Sequence, residues 1–210
     1  MRKYGLAVVA CLATLAFAVP SASAQSAGGC QLQGTATFSP GLGSTSQPFS
    51  YGFTGNLTGC QSSQSGVPTS GTVSAGQTLT EQVRNSVTGA TDTVTYREPV
   101  PTGTGGCASS STSGDSLVTW ADGTTTVVSY STTGAAAAVA LSGTVQPSMT
   151  LSAVNAATGD PTTYTINTTR YAGDTSNGLL TFQPPDPTAC STSTGVTTAA
   201  IGGALGLFGA

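Results

Sequence analysis

Four cysteines beyond residue 24, Cys30, Cys60, Cys107 and Cys190, are the side chains of this sequence most readily given a chemical task. Their even number, in a chain that opens on an export-like segment, points to two disulfides rather than to a metal centre or a reactive thiol. Three pairings are possible. Cys30 with Cys60 is favoured, because the two flank segments 31–38 and 49–59, which read as the arms of one antiparallel hairpin around a Pro/Gly/Ser loop. A register that sets Leu32 opposite Leu57, Ala36 opposite Phe53 and Phe38 opposite Tyr51 leaves the two cysteines one residue out of step. A bulge near Gly55 or Gly59 would absorb the difference. Cys107 with Cys190 then closes a long loop, worth on the order of 4 kcal/mol by chain entropy.

The eight acids are the next candidates, since glycoside hydrolysis needs only two carboxyl groups about 5 to 9.5 Å apart. Asp115, Asp122, Asp160 and Asp174 each adjoin a glycine, however, where aspartate is favoured for bonding the backbone of a turn. Gly173-Asp174-Thr175-Ser176-Asn177-Gly178 has the look of a calcium loop but offers one carboxylate where a hard cation wants several oxygens. Trp120, the only tryptophan, reads either as a sugar-stacking platform or as a buried aromatic beside a turn. Histidine is absent, which excludes a Ser-His-Asp triad, a histidine general base and His-ligated zinc. The only lysine is Lys3. No catalytic, cofactor-binding or metal-ligating residue is assigned from the sequence, and no cofactor is expected.

Residues 1–24 read as a secretory signal peptide: Arg2 and Lys3, the apolar run Leu6 to Val19, then Ser21-Ala22-Ser23-Ala24 before Gln25. The run is shorter than the ~20 residues of a membrane-spanning helix. Val8-Val9-Ala10-Cys11 resembles a lipoprotein cleavage box, but cleavage there would leave most of the apolar run on the product. After Ala24 the chain keeps three arginines, no lysine and all eight acids, a formal charge of −5. Three scattered arginines make no basic stripe, so nucleic acid is not an expected partner. Serine and threonine make up 61 of the 186 residues after Ala24, which would suit disorder were it not for aromatic and β-branched residues in alternating runs from Phe38 to Phe208.

The elements that must carry these residues are strands. Asp122-Gly123 between two β-branched runs predicts a two-residue hairpin turn that sets Trp120 opposite Thr125 and Val118 opposite Val127. Both faces of that hairpin are apolar, which suits a strand pair covered on both sides. Thr88-Gly89 and Thr158-Gly159 predict two further hairpins, the second aligning Leu151 with Ile166 and Ala153 with Tyr164. SGTVSAGQTL at 70–79 recurs as SGTVQPSMTL at 142–151, either a duplicated hairpin or shared strand-and-turn grammar. Strands are also expected over 137–145, 178–182 and 196–208, the last competing with a lipid-anchor signal. About ten short strands with frequent turns predict an all-β, antiparallel β-sandwich over residues 25–210 as a single domain.

FSPGL at 38–42, the stretch from Phe49 through LTGC at 57–60, the SGTV segments, the WADGTTT hairpin and a late cysteine before a Gly-rich last strand resemble secreted proteins of high-GC Gram-positive bacteria, a group without an assigned function. The resemblance implies an Ig-like or related sandwich with two disulfides and transfers no site residue. The expectation is a monomeric, non-catalytic extracellular module, released or held at the cell surface, binding an unknown extracellular ligand. Its rivals are a carbohydrate-active enzyme using paired carboxylates and a proteinase inhibitor with a loop braced after Cys107.

Overall fold

The structure, a computed structural model, describes residues 27–63 and 65–208; the expected signal peptide lies outside them. The chain is all-β and antiparallel, with both expected disulfides, Cys30–Cys60 and Cys107–Cys190, formed. It differs from the expected sandwich of about ten strands in strand number, which is thirteen among the described residues, and in how the larger sheet ends.

That sheet has no open ends. β1 (Ala27–Leu42) pairs with β2 (Gln47–Ser62) on one side and with β13 (Val196–Phe208) on the other. Between them run β12 (Thr175–Gln183), β9 (Ala138–Gln146), β8 (Thr125–Ala135) and β7 (Ser109–Trp120), each bonded to the next. The last position, between β7 and β2, is shared by two short strands. β3 (Gly71–Ala75) fills one half and β6 (Thr102–Gly105) the other. The result is an eight-position closed barrel. Period-two alternation announces only that a strand has a wet and a dry face, so Leu32 and Ala36 against Gln33 and Thr35 fit a sandwich and a barrel equally well.

The chain leaves the barrel twice. Between β3 and β6 it makes the hairpin β4 (Thr78–Arg84) and β5 (Thr91–Arg97); between β9 and β12 it makes β10 (Ser148–Ala153) and β11 (Thr163–Asn167). These join through β5 and β10 as a second, four-stranded sheet. The two similar segments at 70–79 and 142–151 span these departures. The second strand of one hairpin pairs with the first of the other, so the copies are not related by a two-fold axis.

The outer sheet packs on the barrel wall over β7 and β8. Leu117 and Val127, paired cross-strand, face outward into a core with Val83, Val94, Tyr96, Met149 and Leu151. Val118 and Val128 face the barrel interior. The hairpin apolar on both faces is therefore one layer of a locally two-layered structure, as its sequence implied.

Hairpin registers separate what turns can and cannot predict. β1 and β2 pair as expected, and the extra residue lies opposite Cys30, at Gly59-Cys60. Gly59 has φ +58°, the left-handed backbone that a one-residue bulge requires and glycine adopts freely. The Asp122 turn is one residue longer than expected: Leu117 meets Val127 and Val118 meets Thr126. Trp120 N–H bonds Thr124 O, Gly123 N–H bonds Trp120 O, and Gly123 takes φ +81°, a turn followed by a glycine bulge. Asp122 Oδ1 fixes this form by accepting from Thr124 N and Thr124 Oγ1. In β10–β11, Leu151 faces Tyr164 and Met149 faces Ile166, two residues from the expected register and on the same faces. The expected Thr158-Gly159 turn is present, closed by Asp160 N donating to Ala157 O and by Asp160 Oδ2 accepting from Ala157 N, but it sits within a longer loop and not directly between the strands.

Candidate functional site

Alternation along the barrel strands sends one side chain in two inward. Toward the Cys30–Cys60 end these are apolar: Leu32, Leu57, Val73, Val118, Trp120 and Leu180 pack together. Toward the Cys107–Cys190 end, Leu42, Phe49, Val196 and Ala199 form a second cluster joined by Phe38 and Phe182. The two clusters do not fill the space between them. A cavity of about 160 Å³ lies in the lumen, and Phe53, Val139, Leu141, Ile201 and Leu205 line it while only partly buried. Protein interiors are packed as densely as organic crystals, so inward-facing apolar side chains with uncovered surface mark a void of this kind.

This lining is largely apolar, and four of its hydroxyls are linked in a chain. Tyr51 Oη is 2.6 Å from Tyr130 Oη and 3.1 Å from Thr112 Oγ1, and Thr112 Oγ1 is 2.7 Å from Thr132 Oγ1. All four residues line the lumen, from β2, β7 and β8. Burial raises the pKa of both phenols, Tyr130 far above the ordinary tyrosine range, where the neighbouring Tyr51, Asp115 and Glu98 push in the same direction. For Tyr51, hydrogen bonds to Thr112 and Tyr130 offset part of the rise. Both phenols are neutral at physiological pH. Among the described residues no Asp, Glu, Lys or Arg lines the lumen.

A connection packs against each end of the barrel. The β11–β12 connection crosses the Cys30–Cys60 end, where Tyr171 stacks edge-on to Trp120 with ring centroids 5.6 Å apart and lines the lumen. Tyr171 has φ +63°, a genuine outlier for a bulky residue. Its neighbour Arg170 holds it there, donating from Nη2 to Asp122 Oδ2 at 2.7 Å and from Nε to Thr124 Oγ1 at 3.1 Å. Arg170 O accepts from Thr126 Oγ1, which itself accepts from Trp120 Nε1. At the other end the Cys107–Cys190 bridge ties a 3₁₀ turn, Pro187–Ser191, beside Leu42 and Phe49.

The sequence-derived candidates fall elsewhere. Trp120 is 3 % exposed, inside the barrel, and is no surface platform for a sugar. The calcium-like segment is mostly strand, Thr175 to Gly178 lying in β12. Among the described residues no three His, Cys, Asp or Glu side chains gather to hold a metal ion. Asp122 and Asp186 are turn acids whose pKa is lowered first by the hydroxyls of Thr124 and Thr188. Asp92 and Asp160 both accept from Nδ2 of the buried Asn85, at 3.0 and 2.8 Å, which latches the loops of the two outer hairpins together. Glu81 and Glu98 share a groove of about 850 Å³ between barrel and outer sheet. Glu98 is 3 % exposed, however, with Oε1 taken by Ser74 Oγ and Oε2 by Gln77 N. The residues after Cys107 run directly into β7, without a protruding loop.

No protein family, curated protein or solved structure matches the chain. The lumen's own geometry is what bears on function. Its residues escaped sequence reasoning because Tyr51, Thr112 and Tyr130 come from distant strands with no motif spacing. One signal was present: on β7 and β8, expected to be covered on both faces, hydroxyl residues replace aliphatic ones from Thr112 and Tyr130 to Thr132 along the inner face.

Proposed function

We propose that this chain is an exported, non-catalytic binding module, monomeric and working outside the cell or at its surface, whose barrel lumen holds a small, largely apolar molecule. In this reading it is one of the secreted proteins of high-GC Gram-positive bacteria that its motifs resemble. The observation that carries the binding role is the cavity: an apolar lining with a few convergent hydroxyls is the usual make-up of a small-molecule site. The two disulfides suit an oxidising compartment, and among the described residues no helix is long and apolar enough to cross a membrane. The acids favour a non-catalytic role, since Glu98, Asp92 and Asp160 are committed to structural hydrogen bonds.

The test is a benzene or xenon titration followed through methyl resonances. Shifts concentrated on Val139, Leu141 and Leu205 are the expected result. A spectrum unchanged at saturating benzene would end the lumen reading. Export is tested by intact mass of the protein recovered from its host: loss of residues 1–24, and a gain of four protons on reduction, are expected.

A further inference from the structure

We propose that the guest is a single neutral ring bearing one uncharged oxygen, a phenol, cyclic ketone or alcohol, and that the hydroxyl chain of Tyr130, Tyr51, Thr112 and Thr132 is what recognises that oxygen. This rests on the lumen being the binding site. Size sets the first limit: about 160 Å³ is close to the ~150 Å³ apolar cavity that accepts benzene, and it leaves no room for a long acyl chain.

Charge sets the second. Among the described residues no cationic or anionic side chain lines the lumen, so a carboxylate or ammonium guest would be desolvated without a counter-charge. A neutral guest meets no such penalty. Both phenols stay protonated through the physiological range, so the chain presents hydroxyls and never a phenolate.

Proton counting sets the third. Four hydroxyls carry four protons, and the three contacts that link them consume three. One proton is left over, at Tyr130 or at Thr132 according to the direction in which the chain runs. Reversing the chain moves that proton to the other end and leaves an acceptor behind. The lumen can thus donate to a ketone or accept from a phenol with the same four residues. In a largely apolar cavity, a guest with one oxygen satisfies this surplus and a hydrocarbon does not.

The experiment uses the full chain expressed for export, so that both disulfides form, with phenol, cyclohexanone, benzene and benzoate as probes at neutral pH. Binding is read from the methyl shifts of Val139, Leu141 and Leu205. Phenol and cyclohexanone should bind about fivefold to tenfold more tightly than benzene, the worth of one neutral hydrogen bond, and benzoate more weakly than either. In a variant that lacks all four hydroxyls, Tyr51→Phe/Thr112→Val/Tyr130→Phe/Thr132→Val, phenol should fall to the level of benzene. Equal affinity for phenol and benzene in the unaltered protein would overturn the oxygen assignment while leaving the lumen as a site. So would benzoate matching phenol. If no probe binds, benzene included, the binding reading itself fails. The unaltered protein's probe series decides the matter even if the variant does not fold.

Discussion

The protein has two apolar interiors built from the same residue types, and they are finished differently. Between the outer sheet and the barrel wall, Val94, Tyr96 and Leu151 are 0 % exposed, and the fully buried phenol there, that of Tyr96, donates to a backbone carbonyl, Pro161 O. Inside the barrel, Phe53, Leu141 and Leu205 keep uncovered surface around a cavity, and the phenols of Tyr51 and Tyr130 bond other hydroxyls instead. Geometry explains the contrast. Two sheets laid face to face can approach until their side chains interlock, whereas a closed eight-strand barrel fixes its own radius and must be filled by whatever its inward residues supply. The interlayer core is fully packed at its centre and opens only into the groove at its edge, whereas the lumen retains unfilled volume within the barrel.

Truncation should separate the two most strongly. Leu151→Ala removes a fully buried side chain from a packed site and is expected to cost about 3 kcal/mol in urea unfolding. Leu141→Ala enlarges a cavity that already exists and removes a side chain that was never fully covered, so about 1 kcal/mol is expected. Equal losses would show that the lumen is packed like the interlayer core and would erase the distinction.

The polar networks offer the next contrast. Asn85 spends its amide on Asp92, Asp160 and Thr158 O, and its Oδ1 accepts from Val87 N and Thr88 N. Asn85→Ala leaves two carboxylates facing each other without their shared donor and should cost about 2 kcal/mol, with raised amide exchange in both outer hairpin loops. Thr112→Val in the lumen breaks a chain beside a void and should cost under about 1 kcal/mol by the same unfolding measurement.

How legible these two regions were follows from what each asks of the sequence. The β1–β2 register could be read because Leu32, Ala36 and Phe38 alternate across a short loop from Phe53 and Leu57, and the disulfide marks the end of the ladder. The last strand was legible from its alternation as one of two competing readings, the other being a lipid-anchor signal. Closure was not, because β1 meets β13 across almost the whole chain and nothing in either strand names the other. The Asp122 turn was misplaced by one residue because Asp-Gly suits both a two-residue turn and a turn with a glycine bulge. The choice between them is made by Thr124, which bonds Asp122. The lumen site could not be assembled before closure was known.

Alkaline pH provides a test that reaches both interiors at once. Tyr51, Tyr96 and Tyr130 all have folded-state pKa values raised above the unfolded value of 10.0, first of all by burial. Above about pH 10 the unfolded chain releases these protons while the native chain retains them, so the native state binds more protons and stability falls as pH rises. Each tyrosine contributes about 1.4 kcal/mol per pH unit until its folded pKa is reached, and nothing below about pH 9. A Tyr51→Phe/Tyr130→Phe variant should lose most of that slope, keeping the share of Tyr96. An unchanged slope in the variant would mean that the lumen phenols titrate as if in water, and that the cavity is wet.

The smallest expected change in stability is also the most specific to the lumen. Val139→Phe adds a larger side chain at a position that lines the cavity. In a core packed to native density such an enlargement costs about 1 to 3 kcal/mol, because neighbours must leave their rotamers. Here the ring has volume to enter, and dispersion contacts with Leu141 and Leu205 offset whatever adjustment it requires. Stability should therefore change by less than about 1 kcal/mol in either direction, while benzene and phenol both lose their shifts at the remaining lumen methyls. A loss of stability typical of overpacking would place the cavity away from Val139. Unchanged stability with undiminished binding would place the guest outside the barrel altogether.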